Sequence, residues 1–112
     1  MDKKIAWERK DLIGIEELSP DELETLFSTA AMFKTTLSRS VKKVPALRGK
    51  TVVNLFMEPS TRTRLAFETA AKNLSADILT ISGDASSLTK GETLRDTAMN
   101  IQSLSADMLV VR

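Results

Sequence analysis

Residues 51–64 read TVVNLFMEPSTRTR, a short apolar run followed by a turn and then by hydroxyl and guanidinium side chains. The apolar part, TVVNLF at 51–56, lacks the strict alternation of a strand with one face in water. Such a continuous run is typical of a parallel strand that is covered on both faces. Two similar runs follow, DILTIS at 77–82 and DMLVVR at 107–112, so the sequence predicts three parallel strands.

The segments between these strands have the length of returning helices. The strands begin 26 and 30 residues apart, enough for a strand plus a crossover helix. Residues 61–74 and 92–104 are predicted as those helices, and LSAD recurs at 74–77 and 104–107, where helix gives way to strand. The pattern predicts an α/β fold, a parallel sheet with βαβ crossovers. The residues expected to face the sheet are Leu65, Ala66, Ala70 and Leu74, then Leu94, Ala98, Ile101 and Leu104.

An amphipathic helix is predicted upstream, at residues 20–39. Ser19 is its expected N-cap, Pro20 suits the first helical position, and Glu22 completes a capping box. At the other end the chain stops on the third strand, with no helix to cover it and no further strand. Because a three-stranded parallel sheet of this kind leaves an apolar face and an edge uncovered, we expect these residues to be the front part of a longer protein.

The composition narrows the possible functions. With 16 basic and 15 acidic residues the net charge is +1, so no overall field favours nucleic acid or an anionic membrane as partner. Cys and His are absent, which excludes disulfides, zinc fingers, thiol nucleophiles and histidine acid–base catalysis within these residues. No Walker or Rossmann glycine motif and no set of metal ligands occurs. The start MDKKIAWERKDLIG is charged where a signal peptide is apolar, so we expect a cytoplasmic protein.

The segment EPSTRTR, residues 58–64, follows the first strand at the end where open parallel sheets bind ligands. Ser60 is expected to cap the helix that follows. The free N–H groups of that helix start, its dipole, the hydroxyls and the guanidiniums all favour a phosphate-like anion. Arg62 and Arg64 are two residues apart and point to different sides. Only one of them need contact the anion, while the other can pair with Glu68.

A second polar segment, SGDASSLTKGETLRDT at 82–97, follows the second strand. Its glycines and serines are typical of a mobile loop that closes over a ligand, and Lys90 brings a positive charge to it. Both polar segments therefore lie beyond the carboxyl ends of strands, where a ligand would bind.

Together these segments resemble a known family. FMEPSTRTRLAFETAAKNL at 56–74 resembles the carbamoyl-phosphate signature of the aspartate/ornithine carbamoyltransferase family. SSLTKGETLRDT at 86–97 resembles the mobile loop of the aspartate branch. The ornithine branch usually has a lysine where Glu58 and Pro59 stand here, and a Leu-Gly-x-x-Glu pattern in place of TKGE. VVR at 110–112 resembles the strand tip that precedes a His-Pro pair in these enzymes. The resemblance covers nearly the whole chain.

The resemblance implies a substrate site for carbamoyl phosphate. Its phosphate would be held by Ser60, Thr61, Arg62 and Thr63, and its carbonyl oxygen would be reached by Thr63 and Arg112. The amine of L-aspartate would attack the carbonyl carbon, and phosphate would leave from a tetrahedral intermediate. Arg62 would neutralise the departing phosphate, while Thr63 and Arg112 would act as oxyanion-type donors.

The resemblance also implies an assembly. In a homotrimer of catalytic chains, Ser86 and Lys90 would enter the active site of the neighbouring subunit, and the distance from Lys90 favours Ser86 over Ser87. Residues 1–112 would be the N-terminal part of the carbamoyl-phosphate-binding domain of a two-domain enzyme, without its aspartate-binding domain. The reaction would be a step of de novo pyrimidine biosynthesis that needs no metal or organic cofactor. We expect the 112 residues alone to be inactive.

Two other functions stay open. An ornithine or other carbamoyltransferase would share the phosphate half of the site. A non-catalytic anion-binding or assembly module could retain the phosphate loop without the reaction. Nucleic-acid binding through the basic connector SRSVKKVPALRGK, residues 38–50, is disfavoured by the near-neutral charge.

Overall fold

The computed structural model describes residues 5–82 and 94–112. The predicted α/β fold with a parallel sheet is confirmed, and the second crossover helix is described from residue 94 onward. The elements, in chain order, are α1 (Pro20–Leu37), β1 (Thr51–Phe56), α2 (Thr61–Asn73), β2 (Asp77–Ser82), α3 (Leu94–Ser103) and β3 (Met108–Val111). β3 is one residue shorter at each end than predicted, and α1 ends two residues earlier. None of the helices in the described ranges is long and apolar enough to cross a membrane.

The chain divides into two compact units, residues 1–42 and 43–112. The first contains α1, whose start has the predicted capping box. The Ser19 hydroxyl accepts a bond from the Glu22 backbone N–H at 3.1 Å, and the Glu22 carboxylate accepts one from the Ser19 N–H at 2.9 Å. The same carboxylate also accepts bonds from the Arg9 guanidinium. Glu22 therefore anchors the segment before α1 as well as the helix itself.

The acid stability of this unit should depend on Glu22. Hydrogen bonds from Arg9, and then from the Ser19 N–H, lower the pKa of Glu22 from 4.5 to about 2. A lowered pKa in the folded state means that the carboxylate stabilises the fold fully above pH 4.5 and loses this effect as the pH falls through about 2. Glu22→Gln should therefore lower the thermal unfolding midpoint at pH 7, and the difference from wild type should shrink between these two pH values.

The control is Glu24→Gln, an exposed carboxylate on the same helix. It should leave the midpoint close to that of the wild type at pH 7, because surface substitutions of this kind change stability little. A difference for Glu22→Gln that stays constant from pH 7 to pH 2 would contradict this role of its charge.

The second unit is built on a parallel sheet of three strands in the order β2-β1-β3. β1 lies in the centre, with Val53 opposite Leu79 of β2 and Leu109 of β3. Residues 52–56 of β1 are all buried, as the continuous apolar run predicts. The core of this unit therefore lies around the central strand.

The two crossover helices cover opposite faces of β1. Val52 packs with Ala71 of α2, whereas Val53 and Leu55 pack with Ile101 of α3. Because successive side chains of a strand point to opposite faces, α2 and α3 lie on different sides of the sheet. This is the arrangement of a doubly wound fold.

The predicted inner face of α2 is wrong. Leu65 is 48% exposed, and Ala66 and Ala70 are exposed as well. The residues that contact the sheet are Ala71, which is buried, and Phe67, which is 43% exposed but whose ring lies 6.4 Å from that of Phe56 in an edge-to-face contact. For the second crossover helix the prediction holds for the buried Ile101 and fails for Leu94 and for Leu104, which directly follows α3; both are exposed. Ala98 is half-buried, and so is Leu74, which directly follows α2.

The sheet has a switch point between β1 and β3. The chain passes from β1 to β2 on one side of the sheet, whereas β3 pairs with β1 on the other side. With helices on both faces, the strand order reverses between β1 and β3, and a crevice opens there at the carboxyl ends of the strands. The segment after β1 and the residue after β3 meet at this crevice.

Candidate functional site

Arg112 follows β3 directly, and its backbone is held against β1. Its N–H donates to the Leu55 carbonyl at 3.0 Å, and its carbonyl accepts a bond from the Met57 N–H. The pairing extends the β1–β3 ladder beyond the last strand residue. The side chain of Arg112 is thereby placed beside the segment that joins β1 to α2.

The guanidinium of Arg112 contacts two side chains of that segment and one from the first turn of α2. Its Nη1 donates to the Ser60 hydroxyl at 2.8 Å and to the Thr63 hydroxyl. Its Nε donates to Glu58 Oε1 at 2.9 Å. The cluster is open to solvent, since 46% of the Arg112 side chain and 58% of the Glu58 side chain are exposed. The structure therefore joins three of the predicted site residues, Ser60, Thr63 and Arg112, at the switch point.

The start of α2 offers further donors. Its first intrahelical bond runs from the Arg64 N–H to the Ser60 carbonyl at 3.0 Å, so the N–H groups of residues 61–63 have no partners within the helix. No acidic residue occupies the first turn to compete for them. Ser60 stands at the N-cap position as predicted, but its side chain makes no capping bond and contacts Arg112 instead. The expected cap is thus replaced by a bond across the crevice.

The two arginines of this helix start differ in their surroundings. Arg64 is half-buried, and its Nε lies 3.8 Å from Glu68 Oε2, which confirms the predicted pairing across one turn. Arg62 is exposed, and no residue in the described ranges forms an ion pair with it. Thr61 is likewise exposed and makes no side-chain contact with the Arg112 cluster. Arg62 is therefore the cation of this segment that is available to a ligand.

The remaining predicted site residues, Ser86 and Lys90, lie outside the described residues, as does the alternative Ser87. Their proposed entry into a neighbouring subunit stays a prediction. Among the described residues, no cluster of three acidic side chains is placed to hold a metal ion.

Sequence reasoning assigned no contact to Glu58. In the sequence, Glu58 only distinguishes the aspartate branch from the ornithine branch. In the structure its carboxylate accepts a hydrogen bond from the Arg112 Nε. The two residues are 54 positions apart in the sequence, so no local pattern indicates their pairing. The pairing of Glu58 with Arg112 could have been predicted from their positions. One follows the central strand and the other follows the neighbouring strand, so both lie at the same edge of a parallel sheet.

Apart from the crevice at the switch point, a basic cleft lies beside the first residues of β2. It has a volume of about 740 Å³, and its lining includes Lys43, Arg48, Lys72 and Asp77. The cleft lies at the end of α2, where Lys72 occupies the last turn. Because cations complement the negative end of a helix dipole, these side chains stabilise the helix end, and α2 contributes its last turn to this cleft rather than the N–H groups of its start.

The crevice at the switch point can therefore bind an oxyanion. It combines the guanidinium of Arg112, the hydroxyls of Ser60 and Thr63 and the free N–H groups of a helix start whose first turn also carries the exposed Arg62. Bonds from such charged donors are roughly twice as strong as neutral ones. Because the donors approach from two strand ends, an anion between them would be held from both sides.

The chain is similar to known proteins in its sequence. The family model for the aspartate/ornithine carbamoyltransferase, carbamoyl-P binding domain matches residues 10–112. A curated relative, the aspartate carbamoyltransferase catalytic subunit of Opitutus terrae, is 64% identical over 108 residues, which cover 96% of this chain and 34% of that protein. The chain thus spans about a third of the length of the curated relatives it matches.

The chain is also similar in fold to solved structures of aspartate transcarbamoylases. The catalytic subunit of M. jannaschii aspartate transcarbamoylase superposes with a TM-score of 0.81 at 36% identity, covering 93% of this chain and 34% of that one. Aspartate transcarbamoylase from Trypanosoma cruzi, in complex with carbamoyl phosphate and aspartate, superposes with a TM-score of 0.75 at 31% identity, covering 87% and 30%. The fold and the sequence therefore point to the same group of proteins.

Proposed function

The chain belongs to the aspartate/ornithine carbamoyltransferase family, and from that premise we propose that it carries part of an active site for carbamoyl transfer. The reaction is the transfer of the carbamoyl group from carbamoyl phosphate to the amino group of L-aspartate, which yields N-carbamoyl-L-aspartate and phosphate. One observation carries the proposal: Arg112 donates to both Ser60 and Thr63 at the switch point of the sheet. The choice of aspartate over ornithine is supported by the names of the relatives and by the segment TKGE.

The phosphate group of the substrate binds at the start of α2. The hydroxyls of Ser60, Thr61 and Thr63 and the free N–H groups of the first turn donate to its oxygens, and Arg62 supplies the positive charge. As the C–O bond to phosphate breaks, negative charge grows on the leaving group. Arg62 stabilises that charge because no described residue neutralises its guanidinium beforehand.

The carbonyl oxygen of the substrate lies nearer β3. There Thr63 and Arg112 donate to the oxygen as the aspartate amine attacks the carbonyl carbon and the tetrahedral intermediate forms. Collapse of the intermediate breaks the bond to the bridging oxygen, and the proton of the attacking nitrogen passes to the phosphate that leaves. The bond from Arg112 Nε to Glu58 orients the guanidinium so that Nη1 faces the hydroxyls. These residues contribute position and charge, without a covalent enzyme intermediate.

The proposal includes a larger protein. Because the chain spans about a third of its relatives, we place residues 1–112 in the N-terminal part of the carbamoyl-phosphate-binding domain and assign aspartate binding to sequence outside them. The complete gene product would be a cytoplasmic enzyme of de novo pyrimidine biosynthesis. The 112 residues alone would not catalyse carbamoyl transfer.

We further propose that the complete enzyme is a homotrimer in which Ser86 and Lys90 of one subunit complete the site of its neighbour. A mixture of Arg62→Gln and Lys90→Gln proteins, dissociated and reassembled, should then regain activity that neither variant has alone. A hybrid trimer contains one site with Arg62 and the neighbour's Lys90 both intact, so random reassembly predicts roughly a quarter of wild-type activity. If the mixture stays as inactive as its two components, the site is not shared between subunits.

The function itself is tested by assaying the complete gene product with carbamoyl phosphate and either L-aspartate or L-ornithine. We expect phosphate release and N-carbamoyl-L-aspartate with aspartate, and no carbamoylated product with ornithine. Activity with ornithine alone would contradict the choice of acceptor. Binding of carbamoyl phosphate without transfer to either amino acid would favour the non-catalytic module.

A further inference from the structure

Asn54 occupies the deepest position of the sheet. It lies in the middle of the central strand β1, is 0% exposed, and has the buried residues Val53 and Leu55 on either side. Neither its Oδ1 nor its Nδ2 finds a hydrogen-bond partner in the described part of the chain. A buried amide without partners is costly, and a leucine of similar size would remove that cost. The presence of an amide at this position therefore calls for a reason other than stability.

The Asn54 side chain lies on the face of the sheet that α2 covers. Val52 and Phe56, two residues away on either side, pack with α2, and side chains two apart on a strand share a face. Its register partner on β2 is Thr80, whose hydroxyl donates to Glu68 of α2 at 2.9 Å. Polar side chains of β1 and β2 thus lie next to each other beneath this helix.

The helix α2 also has polar side chains on the side that faces the sheet. Glu68 accepts the bond from Thr80, and the Nε of Arg64, one turn earlier, is buried without a hydrogen bond and lies 3.8 Å from the Glu68 carboxylate. Meanwhile the apolar Leu65 and Ala66 point away from the sheet. The helix thus leaves some apolar side chains in solvent while polar ones lie against the sheet, which a purely amphipathic surface helix would not do. The side of α2 that meets the sheet therefore combines the apolar Phe67 and Ala71 with Glu68, which accepts the bond from Thr80 of the sheet.

We propose that Asn54 is a positioning residue for the substrate site. With Thr80 it makes the alternative rotation of α2 unfavourable, because that rotation would enclose the Asn54 amide and the Thr80 hydroxyl in apolar side chains. The rotation of α2 in turn determines where Arg62 and Thr63, in its first turn, stand relative to Arg112. This role rests on the proposed function, since it concerns how tightly carbamoyl phosphate is held. Asn54 acts through α2 and does not contact the substrate.

The proposal separates stability from binding, and the complete gene product can be tested for both. Asn54→Leu should keep or raise the thermal unfolding midpoint, because the unpartnered amide is gone. The same variant should bind carbamoyl phosphate at least about tenfold more weakly, since misplacing a binding group by about 1 Å can cost about a hundredfold. Asn54→Ser, which keeps a polar group but leaves a gap, should show the opposite: a lower midpoint and nearly wild-type affinity.

Two further variants serve as controls. Val53→Ala removes buried volume from the opposite face of β1 and should lower the midpoint without changing the affinity. Thr80→Val removes the bond to Glu68 and should weaken carbamoyl phosphate binding as Asn54→Leu does, which keeps the proposal testable if the leucine variant fails to fold. Calorimetric titration with carbamoyl phosphate measures the affinity of all variants, and steady-state kinetics with aspartate separates KM from kcat.

Wild-type affinity in Asn54→Leu and Thr80→Val would overturn the role of Asn54 while leaving the proposed function intact. Equally weak binding by Asn54→Ser and Asn54→Leu would also overturn it, because the polar group would then not matter. Failure of the wild-type protein to bind carbamoyl phosphate would overturn the proposed function and this inference together.

Discussion

Replacing Arg62 by glutamine should lower kcat/KM for carbamoyl transfer by about a hundredfold or more, the loss that follows removal of one preorganised donor from a transition state. Arg62 is exposed in the first turn of α2, no described residue pairs with it, and the turn contains no acid. Its charge is therefore fully available to the leaving phosphate. A cation at a helix start is unfavourable for the helix dipole, so the thermal unfolding midpoint should stay the same or rise slightly.

The matched control is Arg39→Gln. Arg39 is also an exposed arginine, but it follows α1 in the other compact unit. Its replacement changes the net charge of the protein by the same amount and should leave kcat/KM within about twofold. If both variants lose activity equally, the effect of Arg62 comes from the overall charge and not from a contact with the substrate.

Replacing Arg112 by lysine should lower kcat by about a hundredfold although the positive charge is kept. Arg112 uses Nη1 for Ser60 and Thr63 and Nε for Glu58, which requires the planar fork of a guanidinium. An ammonium group has no second nitrogen and cannot hold Glu58 and the hydroxyls in this geometry. The expected effect falls mainly on kcat, because the oxyanion donor acts most strongly in the transition state.

Arg48→Lys is the control for this substitution. Arg48 lines the basic cleft at the opposite edge of the sheet, together with Lys43 and Lys72 at the end of α2. Among the described residues, no hydrogen bond requires the planar guanidinium of Arg48. The same substitution at Arg48 should leave kcat nearly unchanged. An Arg112→Lys enzyme that keeps kcat within threefold of the wild type would show that charge alone suffices at this position.

The strands could be predicted from the sequence because burial on both faces leaves a continuous apolar run. TVVNLF and DILTIS coincide with β1 and β2, and the spacing between them allowed only a crossover connection. The position of EPSTRTR beyond a strand end was likewise enough to predict an anion site. In both cases the information lies within about thirty consecutive residues.

Orientation of the helices was harder to predict because it depends on partners from other strands. The spacing of Leu65, Ala66 and Ala70 predicted the inner face of α2, but those residues are exposed. The sheet presents Thr80 to the helix, beside Asn54 on the neighbouring strand, and Glu68 accepts a bond from the Thr80 hydroxyl. The asparagine in the middle of TVVNLF was the available signal, since a polar residue in a fully buried strand needs polar neighbours.

The central claim is that the start of α2 and Arg112 together hold carbamoyl phosphate. A crystal structure of the complete gene product with this ligand tests it directly. We expect phosphate oxygens within about 2.7–3.2 Å of the Ser60 hydroxyl, the Arg62 guanidinium and the N–H groups of residues 61–63, with the carbonyl oxygen between Thr63 and Arg112. Carbamoyl phosphate bound in the basic cleft of Lys43, Arg48 and Lys72, with Arg112 still bonded only to Ser60, Thr63 and Glu58, would contradict the claim.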